Sequence, residues 1–134
     1  MKVLIAEDEP STRAVLAHTV ERLGFPVIQA SDGQRAWEIL LDNPDIGLLV
    51  TDMMMPKLDG RSFIERVRKD PHLATMPVLV VSGVISLNQI NDLLEQGASR
   101  FLPKPIDLME FRRYVTALMA QPIAEEHVEE GAEA

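Results

Sequence analysis

Six side chains able to do chemistry stand directly behind short apolar runs in this 134-residue sequence. Glu7, Asp8 and Glu9 follow "VLIA" (3–6), Asp52 follows "IGLLV" (46–50), Ser82 follows "VLVV" (78–81) and Lys104 follows "FL" (101–102). Carboxylates ~4 Å apart repel by on the order of 4 kcal/mol at an effective dielectric of ~20. A cluster of them therefore needs a cation. Mg²⁺ suits the set, because it binds through one or two carboxylates, waters and phosphate oxygens rather than a full protein cage. Lys104 adds a mobile point charge fitted to a phosphoryl oxygen. Asp52 then reads as a carboxylate nucleophile beside a metal, placed to take a phosphoryl group.

These six residues meet only if the apolar runs are neighbouring strands. The runs, with "VIQA" (27–30), are nearly continuous rather than alternating, as in strands buried on both faces of a parallel sheet, and the first, third and fourth read as central. Between them lie amphipathic stretches of helical length. Leu16, Val20 and Leu23 share a face between Pro10 and Gly24, and Phe63, Ile64 and Val67 mark a further helix. Leu87, Ile90, Leu93 and Leu94 form a stripe bounded by a Ser86-x-x-Gln89 capping box and by Gly97. Leu108, Phe111, Val115 and Leu118 make the last face. Five strand-helix alternations imply right-handed crossovers and a doubly wound α/β sheet. In such sheets ligands bind beyond the carboxyl ends of the strands, where these six side chains stand.

Composition excludes several classes. At 46% hydrophobic and 25% charged the chain fits one globular domain. No apolar stretch approaches the roughly 18 residues that cross a bilayer, and "MKVLIAEDEP" turns acidic too soon for a signal peptide, so a cytoplasmic protein without membrane contact is expected. The absence of cysteine removes disulfides and thiolate chemistry. A net charge of −8 argues against a nucleic-acid surface. Five of those negative charges lie in the last fourteen residues, which leaves residues 1–120 at −3. The domain is expected over 1–120, with 121–134 an acidic, disordered, solubilising end.

Taken together, Glu7-Asp8, "DMMMPKLDG" (52–60), Ser82, Phe101 and Lys104-Pro105 resemble the receiver domain of bacterial response regulators, in order and separation, over residues 1–120. The resemblance implies a flavodoxin-like sheet of strand order 2-1-3-4-5 and a single-domain, chemotaxis-regulator-like member of two-component signalling. It implies that Asp52 accepts phosphate from a sensor histidine kinase or a phosphotransfer protein, without the chain being an enzyme in its own right. Glu7, Asp8, Asp52 and the backbone carbonyl of Met54 would hold Mg²⁺. Lys104 and Ser82 would bind the phosphoryl group, and Ser82 with Phe101 would form the switch. Pro105 would follow a cis bond, and Gly60 would end the loop in which Met55 and Pro56 pack. Met54 and Val84 would flank the approach of water and set the lifetime of the phosphoryl group. Output would pass by protein contact, to a downstream target or a second copy, through helix 4, strand 5 and helix 5, with Asn91, Glu95, Arg100, Arg112 and Arg113 on that face. Glu7 stands where the family more often has Asp, and Ser82 where it more often has Thr.

Plainer readings apply to other residues. Met53 to Met55 read as packing rather than a sulfur metal site. His18 reads as a solvated helix residue, His72 and His127 carry no motif, and Trp37 reads as half-buried packing. Among rival functions, a haloacid-dehalogenase-type phosphatase would show D-x-D, whereas Met53-Met54 follows Asp52. A flavin or nucleotide module would need a Gly, Ser or Thr-rich loop where "EDEP" stands. A receiver-like interaction module that is never phosphorylated would not need the full acidic set.

Overall fold

The computed structural model describes residues 1–83 and 86–120. Strands and helices alternate throughout: β1 (Lys2–Ala6), α1 (Pro10–Arg22), β2 (Val27–Ala30), α2 (Gly33–Asp42), β3 (Ile46–Asp52), α3 (Gly60–Lys69), β4 (Val78–Ser82), α4 (Leu87–Gln96), β5 (Arg100–Pro103) and α5 (Leu108–Met119). The strands form one parallel sheet of order β2-β1-β3-β4-β5, a doubly wound flavodoxin-like α/β fold with β1, β3 and β4 in the interior. None of the described helices is long and apolar enough to cross a membrane.

Continuous apolar strands have a use on both faces. Leu4, Leu49, Val78 and Val80 point into a core closed by Ala36, Ile39 and Leu40 of α2, Phe63, Ile64 and Val67 of α3, and Leu93 of α4. Their neighbours Val3, Ile5, Leu48, Val50, Leu79 and Val81 point into a second core closed by Leu16, Ala17 and Val20 of α1 and by Phe111, Val115 and Leu118 of α5. The alternation of side chains along each strand divides the two sets. A register slip of one residue would exchange the faces and also displace the functional strand ends.

Local chemistry sets the helix boundaries. Glu9 caps α1, accepting from the Thr12 N–H at 2.7 Å, with Pro10 as the first helical residue. Asp32, Asp59 and Asp107 cap α2, α3 and α5. The Ser86–Gln89 capping box forms at α4, and Gly97 ends that helix at φ 122. The expected apolar stripe of α4 is only partly used. Leu93 is buried, but Leu87 is 71% and Leu94 42% exposed, because α4 lies at the sheet's margin beside the four-residue edge strand β5. Leu108 is likewise outside the core, at the first turn of α5.

A side chain without a sequence signal joins α3 to the α4–β5 turn. The Arg68 guanidinium donates to the Gly97 carbonyl from Nε at 3.0 Å and Nη2 at 2.6 Å, and its Nη1 reaches the carbonyls of Leu73 and Ala74. Burial lowers its pKa from the usual arginine value. A Cβ added at Gly97 would come within 2.6 Å of Arg68 Nε, so the glycine serves both the left-handed backbone and this close packing. Removing the guanidinium with Arg68→Ala leaves these carbonyls without their donor. Urea unfolding is expected to show a loss of about 2 kcal/mol, against under about 0.5 kcal/mol for the exposed Arg112→Ala.

Candidate functional site

Three adjacent strands and the edge strand deliver the site. Glu7 follows β1, Asp52 and Ser82 are the final residues of β3 and β4, and Lys104 follows β5. The strands thus run on into Asp52 and Ser82 rather than stopping short of them. The register places Asp52 opposite Val81 and Ser82 opposite Pro103, so the four chain segments end at one edge.

Lys104 Nζ donates to Asp52 Oδ2 at 2.7 Å and to Glu7 Oε1 at 2.9 Å. Both carboxylates are buried, Glu7 completely, while the Lys104 side chain keeps 27% exposure. Asp8 is exposed at the mouth, and one oxygen from each of Glu7, Asp8 and Asp52 lies within 4.8 Å of the others. The second oxygen of each buried acid is also engaged: Glu7 Oε2 accepts from the Glu9 N–H at 3.1 Å and Asp52 Oδ1 from the Met54 N–H at 3.1 Å. Burial pushes the Glu7 carboxyl above its ordinary value, against the lowering pull of Lys104. Burial alone would lower the Lys104 pKa, but the hydrogen bonds to Asp52 and Glu7 outweigh it and the ammonium is held above its ordinary value. The result is an all-oxygen, acid-rich pocket with one fixed cation, which suits a hard divalent ion and a phosphoryl group.

The remaining expected residues fall around this centre. Ser82 is buried, and its carbonyl accepts from the Lys104 N–H at 2.7 Å. The Lys104–Pro105 bond is cis. Phe101 is half-buried in β5 and packs against the α2–α4 core. Gly60 opens α3 and sends its N–H to the Met53 carbonyl at 3.0 Å. A Cβ there would stand 2.7 Å from the Asp52 carbonyl oxygen, so only glycine allows α3 to approach the acceptor strand so closely. Met55 is buried as expected, whereas Pro56 is exposed, since Met55 and Leu58 fill the space beneath the turn. Met54 is 76% exposed beside Asp52. Val84 lies outside the described residues, as does the segment 121–134. Glu9 does not join the acidic cluster, because its carboxylate is taken by the Thr12 N–H and hydroxyl at the start of α1. Arg13, one turn into α1, carries no sequence signal, yet its Nη1 donates to the Glu7 carbonyl at 2.8 Å and ties α1 to the site. Asn91, Glu95, Arg100, Arg112 and Arg113 are exposed on α4, β5 and α5, with the Arg100 guanidinium 5.6 Å from the Tyr114 ring centre.

A doubly wound parallel sheet whose carboxyl edge carries a buried acid pair, a third acid and a bridging lysine defines a flavodoxin-like protein with its polar site at that edge. Residues 3–116 match the response regulator receiver domain, and the chain belongs to that family, the receiver domains of two-component signalling. It is similar to a chemotaxis protein CheY homologue of Campylobacter jejuni, 30% identical over 106 residues that cover 78% of this chain and 82% of the relative. It is similar also to the two-component response regulator ORR5 of Oryza sativa, 30% identical over 117 residues covering 87% of each. Among solved structures, the receiver domain of the Francisella response regulator 1452 superposes with a TM-score of 0.80 at 29% identity, over 88% of this chain and 95% of that one.

The lysine bridge has a measurable consequence. Lys104→Met leaves Glu7 and Asp52 buried beside each other without their shared cation. In chelator, urea unfolding is expected to show a loss of about 2 kcal/mol, reduced from the fully buried case by the partial exposure of Lys104. The same change at Lys2, whose partner Asp45 is on the surface at 3.0 Å, is expected to cost under about 1 kcal/mol.

Proposed function

We propose that the chain is the phosphoacceptor of a two-component pathway, taking a phosphoryl group on Asp52 from the phosphohistidine of a sensor kinase or a phosphotransfer protein. The observation that carries this reading is the Lys104 ammonium held between Asp52 and Glu7, whose carboxylates lie within 4.8 Å of that of Asp8, at the carboxyl edge of the sheet. Asp52 Oδ would attack phosphorus in line with the departing imidazole nitrogen, which leaves with the bonding electron pair. Lys104 and the Ser82 hydroxyl would hold the transferred oxygens. Glu7, Asp8, Asp52 and the carbonyl of Met54 would hold Mg²⁺, which when bound neutralises charge on the phosphoryl oxygens. Contact of Ser82 with the new group, followed by a turn of Phe101 toward the core, would carry the change to the face of α4, β5 and α5, where a downstream protein or a second copy binds. The chain is thus a phosphoprotein acting in the cytoplasm, not a turnover enzyme. The absence of a second acid two residues after Asp52 disfavours a phosphatase, and the complete acidic set disfavours a receiver that is never phosphorylated.

The test is direct. Acetyl phosphate with Mg²⁺ is expected to add one phosphoryl mass to the intact protein, with no addition for Asp52→Asn or in chelator. Mg²⁺ at about a hundredfold over its Kd is expected to stabilise the wild type by about 2.7 kcal/mol in thermal melts, and the gain is expected to shrink for Asp8→Ala. Labelling at full rate in Asp52→Asn would reject the acceptor assignment.

The lifetime of the phosphoryl group follows from the same site. A side chain that hydrogen-bonds water can position it for in-line attack, and the thioether of the exposed Met54 has little such capacity. Met54 and Val84 would therefore shield the group, and slow self-dephosphorylation is expected. Met54→Asn is expected to raise the rate several-fold, a barrier change of about 1 kcal/mol, in the decay of isolated phosphoprotein. Equal decay in the two proteins would remove Met54 from lifetime control.

A further inference from the structure

Seven methionines and no cysteine make the thioether the only sulfur group of the chain. Burial divides the seven. Met55 and Met76 are buried in the α2–α4 core, and Met53 packs against that core, its sulfur 2.8 Å from where a Cβ on Gly60 would stand. Met119 packs against the core under α1 and α5. Met1, Met54 and Met109 are exposed, Met54 the most. Met1 precedes β1 at the amino edge of the sheet, away from the acidic cluster, and Met109 lies in the first turn of α5. Among the described residues only Met54 of these three hydrogen-bonds a carboxylate of the site: its N–H donates to Asp52 Oδ1 at 3.1 Å. That bond ties the Met54 backbone to the acceptor while the thioether faces solvent. Three consecutive methionines thus present one open sulfur, flanked by two that the core protects.

We propose that Met54 is an oxidation site whose sulfoxide shortens the life of a phosphoryl group on Asp52. The proposal rests on Asp52 being the acceptor and adds a regulation of that same site. A peroxide is the oxidant. One oxygen of hydrogen peroxide bonds to the Met54 sulfur as the O–O bond breaks, and its hydrogen passes to the departing hydroxide, which leaves as water. Sulfur loses two electrons and the peroxide gains them. The thioether is a weak hydrogen-bond acceptor, whereas the sulfoxide is polar and its oxygen accepts strongly. A water held by that oxygen beside the phosphoryl group is placed for in-line attack. The water oxygen bonds to phosphorus, the bond from phosphorus to the Asp52 oxygen breaks, and the carboxylate leaves with that electron pair. The protons of the water go to the released phosphate and to solvent. The sulfoxide takes no proton, so Met54 acts as a positioning residue. Methionine sulfoxide reductases return the thioether, which makes the modification a reversible reset of the signal.

The experiment treats the full chain with hydrogen peroxide, removes the peroxide with catalase, labels with acetyl phosphate and Mg²⁺, and then removes the donor. Intact mass follows loss of the phosphoryl group from oxidised and untreated protein, and peptide mapping locates the added oxygens. Met54 and Met109 are expected to oxidise faster than Met53, Met55 and Met76. Oxidised wild type is expected to lose phosphate several-fold faster than untreated protein. The acceleration is expected to vanish in Met54→Leu, to persist in Met109→Leu, and to be reversed by the two reductases that act on the two sulfoxide epimers. Equal decay with and without oxygen on Met54 would overturn the proposal, as would acceleration that survives in Met54→Leu, or a Met54 that stays reduced while Met109 oxidises. Failure to label the oxidised protein alone would overturn it too. In each of these outcomes the untreated protein is still labelled and the acceptor reading stands. No labelling of untreated protein would overturn the acceptor reading and this proposal together.

Discussion

Two carboxylates are buried side by side at the end of the sheet, and one ammonium from the far edge strand holds them there. Glu7 and Asp52 come from adjacent strands, β1 and β3, while Lys104 follows β5, two strands beyond β3. Burying either acid alone would cost several kcal/mol or drive it neutral. The bridge is therefore an electrostatic condition on the whole architecture: it exists only when the β1–β3, β3–β4 and β4–β5 registers are all correct. The long apolar strands enforce those registers, since a slip would turn Val and Leu side chains from one core into the other.

Much of this was legible because the signals are local. Uninterrupted Val, Ile and Leu runs mark doubly buried strands, Pro10 and Gly97 mark helix ends, and Ser86 with Gln89 writes a capping box that the structure contains. The strand-end rule then located Asp52, Ser82 and Lys104 without any knowledge of side-chain geometry. What was not legible depends on position in space. Glu9 is the third acid of a run and looks like a ligand, but its distance to Thr12 makes it a cap. Leu87 and Leu94 lie on an amphipathic stripe, yet nothing in the sequence reveals that α4 lies at the margin of the sheet. Arg68 and Arg13 are ordinary helix arginines by composition, and only tertiary contact makes one a brace and the other a tether.

The helices around the sheet are held with different firmness. α1 and α5 close their core with three buried residues each, and α3 is fixed by Phe63, Ile64 and Val67 as well as by Arg68. α4 has one buried side chain, Leu93, and its ends are set by a capping box and a glycine. Elements with few buried apolar groups open and shift at low free energy, while well-packed ones do so only with the global transition.

That inequality bears on how a small event at Asp52 can be read at a distance. A ligand displaces a two-state equilibrium only by its difference in affinity for the two states, and a shift from 1:99 to 99:1 requires about 5.5 kcal/mol. Charge-assisted hydrogen bonds to a phosphoryl group, as proposed for Lys104 and Ser82, would supply on the order of a few kcal/mol. This is too little to detach α3, whose buried Phe63 alone is worth about 3–5 kcal/mol on truncation. It is of the right size to move α4, whose single leucine anchor and exposed stripe leave little apolar burial to lose. Phe101 is half-buried in β5 against the same core that receives Leu93. Thin packing of α4 is thus the physical condition under which charge placed at one end of the sheet can change the shape of its edge.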